Sequence, residues 1–118
     1  MLASLLVLIS AGLLAQSNEK GAGAKTTAAS RPDRAAVEAG KEVYKQYCAI
    51  CHFERSAAQK IGPGLKDLFR RGTFTDGKKA DNSGLRVWIE KGGKDMPGFK
   101  DSLSPEQTRA LMAYVKTL

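Results

Sequence analysis

Cys48-Ala49-Ile50-Cys51-His52 holds the chain's only two cysteines and, directly after the second, its only histidine. Residues at i and i+3 on a helical turn share one face, so both thiols can reach a single planar ligand. The imidazole at the next position is then carried beneath that ligand, where a ring nitrogen can bind iron. C-x-x-C-H at this spacing is the attachment pattern of a c-type haem, with the two sulfurs becoming thioethers at the porphyrin vinyl groups. Two other chemistries use the same residue types. A structural zinc site normally needs four protein ligands, and this chain offers only Cys48, Cys51 and His52 as soft or imidazole donors. A redox dithiol belongs beside a βαβ pattern, which the flanking sequence lacks.

Upstream of the motif, Pro32 and Asp33 supply a helix start, and Ala36, Gly40, Val43, Tyr44 and Tyr47 recur at three- and four-residue steps. This spacing predicts an amphipathic helix that delivers the chain to Cys48. Gly40 inside it costs about 1 kcal/mol against Ala, and a close crossing by another backbone would explain it. Gly40-Lys41-Glu42-Val43-Tyr44, followed by Lys45-Gln46-Tyr47-Cys48, resembles the G-x-x-x-aromatic lead-in of small class I bacterial cytochromes c. The resemblance runs from about Ala36 to Leu118. It implies an all-α cytochrome c fold of three main helices and a short one around one covalently bound haem c and its iron.

The partner for Gly40 lies at the other end of the chain. Ser104-Pro105-Glu106-Gln107 has a hydroxyl N-cap, Pro at the first helical position and Gln at the third, which is a capping box. Leu111, Tyr114, Val115 and Leu118 continue as one apolar stripe. A terminal helix crossing the first near Gly40, with Tyr44 and Tyr114 in contact, is expected; Leu103 through Leu118 is similar to the family's final helix. Between these ends, Ile61-Gly62-Pro63-Gly64-Leu65 breaks helix, and Leu65, Leu68 and Phe69 suggest a short helix. Asp76-Gly77 within Thr73–Lys78 is a type I′ turn signal, predicting a small hairpin or an ordered loop over 73–80. Asn82 or Ser83 would cap a third long helix with Leu85, Trp88 and Ile89 on one face, stopped by Gly92.

A metal-bound imidazole usually donates its other ring N–H to a carbonyl. Resemblance to the family's G-P-x-L segment implies that the Pro63 carbonyl accepts from His52 and that Leu65 covers the ring. Trp88 is read as a wall of the haem pocket. With His52 used, no second imidazole exists, so methionine is the next candidate for the other axial position. Met1 lies in the uncharged apolar run over residues 1–15, and Met112 sits mid-helix between Leu111 and Val115, where packing explains it. Met96 remains, between the Gly92-Gly93 hinge and Pro97-Gly98, and its M-P-x-F pattern resembles the family's distal-ligand loop. His52 and Met96 would then bind iron, and a six-coordinate site of this kind moves single electrons. A ligand-binding or sensing haem protein in which Met96 dissociates is the first alternative. A thiol-disulfide oxidoreductase using Cys48 and Cys51 is the second.

The remaining sequence bounds setting and partners. Residues 1–15 carry no charge and are mostly Leu, Ala, Val and Ile, a run shorter than the roughly 20 residues that span a bilayer. They resemble the apolar part of an export signal, although no Lys or Arg precedes them; a retained anchor is the alternative. Residues 16–33 are rich in Ser, Gly, Ala, Thr and Lys and read as a flexible linker, leaving 34–118 as the cytochrome domain. Haem attachment in the family implies a periplasmic or otherwise exported protein. Lys and Arg number 19 against 12 Asp and Glu, a formal charge of +7. The basic residues are scattered and not interleaved with aromatics, which disfavours nucleic acid. The charge instead fits larger redox proteins or membrane oxidoreductase complexes with acidic docking surfaces, with direct membrane contact only if residues 1–15 are retained.

Overall fold

The computed structural model describes residues 33–118, which form four helices and no strand within that range. The expected leader over 1–15, and all of the expected linker except Asp33, lie outside the described residues. Helix α1 (Arg34–Tyr47) starts where the Asp33 carboxylate accepts from the Ala35 amide, and it buries Gly40, Val43 and Tyr44. Helix α4 (Pro105–Val115) begins with both halves of the capping box: the Ser104 hydroxyl accepts from Gln107 N, and the Gln107 side chain accepts from Ser104 N.

These two helices cross at Gly40. A Cβ added there would lie 1.9 Å from the Ala110 carbonyl oxygen and 2.9 Å from Tyr114 Cβ, so the two backbones meet with no room for a side chain. One turn further along, the Tyr44 and Tyr114 rings pack with centroids 5.6 Å apart and planes tilted by 54°. The stripe expected on α4 is buried at Leu111, Tyr114 and Val115; Thr108 and Met112 are buried with it, while Leu118 lies past the helix end and is half-buried.

Helix α2 (Leu68–Arg71) is a single turn entered through Asp67, whose φ of 56° is left-handed. The Asp67 amide donates to the Leu118 carbonyl, tying this turn to the end of the chain. Helix α3 (Asn82–Lys91) buries Leu85 and Ile89 and ends at Gly92 with φ 69°. Its cap corrects the sequence expectation. Asp81, not Asn82 or Ser83, accepts from the Gly84 amide and from the Ser83 hydroxyl, because its carboxylate can satisfy two donors at once.

The 73–80 segment is the ordered loop of the two expected alternatives, not a hairpin. A lone antiparallel bridge joins Thr73 and Lys79 without strands. Phe74 N donates to Lys78 O, and Gly77 N donates to Phe74 O. Only Gly77 has positive φ there, whereas a type I′ turn needs it at both central residues. The Asp76 carboxylate accepts from the Lys78 amide instead, a local bond that holds Asp76 in an ordinary conformation and leaves the reversal to Gly77.

Candidate functional site

Helix α1 runs out at the attachment motif. The Cys48 amide donates to Tyr44 O, and Cys51 N and His52 N both donate to Cys48 O, so the motif is wound as a turn directly on the helix end. Cys48 and Cys51 are free, half-buried thiols. Burial pushes the Cys48 thiol up to about 11, and the neighbouring Cys51 adds to the shift. Both sulfurs are therefore held three residues apart on one turn, the arrangement that bonding to a single porphyrin requires. No βαβ context surrounds them among the described residues, so the setting expected of a redox dithiol is absent there.

The 61–65 segment orients His52. The imidazole Nδ1–H donates to the Pro63 carbonyl at 2.7 Å, which leaves Nε2 as the nitrogen available to iron. Gly62 lies flush against the imidazole, since a Cβ there would sit 2.5 Å from His52 Cε1. Gly62 N donates to Cys51 O, and Leu65 N donates to Phe53 O, so the segment is laced to the motif. Gly64 fits for the same reason, as a Cβ would fall 2.0 Å from Ser56 O. Arg71 Nη2 reaches back to the Gly64 carbonyl at 2.7 Å.

Met96 lies in a loop closed on itself and on α3. Gly93 N donates to Met96 O, Phe99 N to Ile89 O, and Lys100 N to Glu90 O. Gly92 and Gly98 make the closure possible: a Cβ on Gly92 would be 2.2 Å from Met96 O, and one on Gly98 would be 2.7 Å from Glu90 O. The Met96 side chain is half-buried. Phe99, three residues on, packs edge-on against Tyr47 with centroids 5.9 Å apart, so the loop is braced against the residue preceding Cys48. Trp88 is half-buried, beside Phe74 at 6.3 Å and over Gly93, where a Cβ would lie 2.2 Å from its Cζ3. It thus packs on the hinge of the Met96 loop. Leu65 is half-buried against the core, as are Tyr47, Phe69 and Phe99.

The donor set fits a haem: two free thiols in one turn, an imidazole with one nitrogen committed and one available, and partly exposed apolar side chains that a macrocycle can cover. Sequence reasoning missed four contacts here. Tyr44 Oη donates to the His52 carbonyl at 2.6 Å, and Tyr114 Oη donates to Glu54 Oε2. Lys60 Nζ donates to Ala49 O at 2.6 Å and stands 5.4 Å from the centre of the Phe53 ring. The lysine and the two hydroxyls were visible as residue types, but nothing local indicates their partners, since Tyr114 and Glu54 are 60 residues apart.

An attachment turn at the end of the first helix, an oriented imidazole and a terminal helix crossing at a glycine define a c-type cytochrome domain. Residues 35–115 match the family described as cytochrome C oxidase, cbb3-type, subunit III, and the chain belongs to that cytochrome c family. Its cofactor is accordingly a covalently bound haem c with its iron, and its chemistry is electron transfer by that haem. Similar proteins include the Cbb3-type cytochrome c oxidase subunit FixP of Sinorhizobium medicae, 33% identical over 70% of this chain and 30% of the relative. The quinohemoprotein alcohol dehydrogenase ADH IIB of Pseudomonas putida is 32% identical over 67% of this chain and 11% of its own length. A cytochrome c of Guizotia abyssinica is 28% identical over 68% of this chain and 87% of its own. The chain thus spans less than a third of the first two relatives and most of the third.

Proposed function

We propose that the chain is an exported single-electron carrier whose haem iron is bound by His52 and Met96, and that it exchanges electrons with larger redox assemblies. When bound, the haem supplies one-electron chemistry between ferrous and ferric iron. Cys48 and Cys51 would anchor it, and the Pro63 carbonyl would orient His52 through the Nδ1 hydrogen bond and strengthen it as a ligand. Leu65 would cover the ring and Trp88, packed on the hinge at Gly93, would form a wall of the pocket, while the closed 92–100 loop would hold Met96 in place. Held in this way, His52 and Met96 would move little as the bound haem gains or loses an electron. The observation that carries the reading is the His52 Nδ1 to Pro63 carbonyl bond, which leaves a single imidazole nitrogen for the metal.

The ferric protein is expected to show the sulfur-to-iron charge-transfer absorption of His/Met ligation, and the ferrous protein should resist carbon monoxide. Met96→Ala should abolish that band, lower the reduction potential and admit carbon monoxide. An unchanged spectrum would remove Met96 as a ligand and reopen the sensing alternative. The formal charge of +7 favours partners with acidic docking surfaces, and relatives named for an oxidase and a dehydrogenase support exchange with larger assemblies. Transfer rates to such partners should fall steeply as salt rises; rates insensitive to ionic strength would discard electrostatic docking.

A further inference from the structure

The α1–α4 crossing does more than close the core. Tyr44 and Tyr114 are 2% and 3% exposed, and phenylalanine at either position would fill the same ring space. Their hydroxyls land two residues apart on one strap of chain. Tyr44 Oη donates to the carbonyl of His52 itself, and Tyr114 Oη donates to the Glu54 carboxylate. A more exposed contact between the Arg55 guanidinium and the other Glu54 oxygen, at 3.8 Å, flanks the second bond. The opposite side of the strap is fixed by Leu65 N on Phe53 O and by the Pro63 carbonyl on the imidazole. His52 is thereby gripped from two directions, at its backbone from the helix crossing and at its ring from the 61–65 loop.

We infer that Tyr44, supported by Tyr114 and Glu54, is a positioning residue for the axial imidazole, so that the α1–α4 crossing sets the electron-donating strength of His52. This rests on the reading that His52 binds the iron. If the carbonyl of His52 loses its donor, the strap can shift and lengthen the Nδ1 to Pro63 bond. A weaker bond makes the imidazole a poorer donor, stabilises ferric iron less, and raises the potential. Packing alone predicts none of this, because the rings are retained when only a hydroxyl is removed.

The test compares the haem-loaded wild type with Tyr44→Phe, Tyr114→Phe, Glu54→Gln and a core control, Leu103→Ala. Three quantities are read: the reduction potential, the paramagnetically shifted His52 ring resonances of the ferric protein, and amide exchange at Gly62 and Leu65. Tyr44→Phe should raise the potential, move the His52 resonances and speed exchange at both amides about 3- to 10-fold, the range one net hydrogen bond supports. Tyr114→Phe and Glu54→Gln should act in the same direction but less, and the Tyr44/Tyr114 double variant less than additively, because both hydroxyls hold one strap. Leu103→Ala should lower stability while leaving the potential and the His52 resonances in place. Tyrosine variants that behave like Leu103→Ala would overturn the inference and leave the ligand assignment standing. A wild-type protein without shifted His52 resonances would overturn both.

Discussion

Tyr44 joins the α1–α4 crossing to the His52 backbone through one hydroxyl. Burial raises its phenol from 10.0 to about 12, with the Glu54 carboxylate adding to the shift. The folded state therefore holds the Tyr44 proton more tightly than the unfolded chain does. Its contribution to stability is complete below about pH 10 and is lost as pH rises through about 12, with a slope of up to about 1.4 kcal/mol per pH unit. Tyr114 is shifted upward as well, first by burial and then by its bond to Glu54, so it adds to the same alkaline loss. Denaturant titrations from about pH 9 to 12 should show stability falling, with a shallower slope in Tyr44→Phe; a slope equal to wild type would contradict the assignment. The ring of Tyr44 was legible from its helical spacing, and so was the close approach at Gly40, but the destination of the hydroxyl was not. A pattern of threes and fours places a face, whereas the partner of a buried polar atom depends on where a distant loop returns. Pro63 could be anticipated only because its G-P-x-L setting resembles a family segment.

At the scale of elements, Gly40 and Ser104 predict losses of different size, one at the helix crossing and one at a helix cap. Replacing Gly40 by Ala gains about 1 kcal/mol of helix propensity. The new methyl would nevertheless meet the Ala110 carbonyl at 1.9 Å, and that contact is with backbone, which cannot turn aside. A net loss of about 2–3 kcal/mol is expected, since overpacking of this kind outweighs propensity. Ser104→Ala removes one half of a capping box and should cost about 1 kcal/mol, leaving the helix crossing in place. Chemical denaturation of both variants checks the ranking; a stabilised Gly40→Ala would mean that α1 and α4 do not cross here. Four helices and the crossing were readable because caps and glycines act within a few residues. The type I′ expectation at Asp76-Gly77 failed because the Asp76 carboxylate binds the Lys78 amide. The α3 cap was misplaced because three consecutive polar residues, Asp81, Asn82 and Ser83, all qualify as caps.

For the whole molecule, the balance turns on how little of the core is sealed. Eleven apolar residues are buried among the described ones, yet only Leu111 falls below 2% exposure. A domain of this size buries too small a fraction of its surface for side chains alone to stabilise it well. A covalently held macrocycle would therefore act as core as well as cofactor. A Cys48→Ser/Cys51→Ser variant made without haem should lack a cooperative thermal transition, while the matured protein should have one. Covalent attachment of a single haem is tested most directly by the intact mass of the matured protein together with its absorption spectrum. The expected mass is that of the polypeptide plus one haem, unchanged by acid-organic extraction, with the bands of a low-spin c-type haem. A colourless protein with the mass of the bare polypeptide would contradict it.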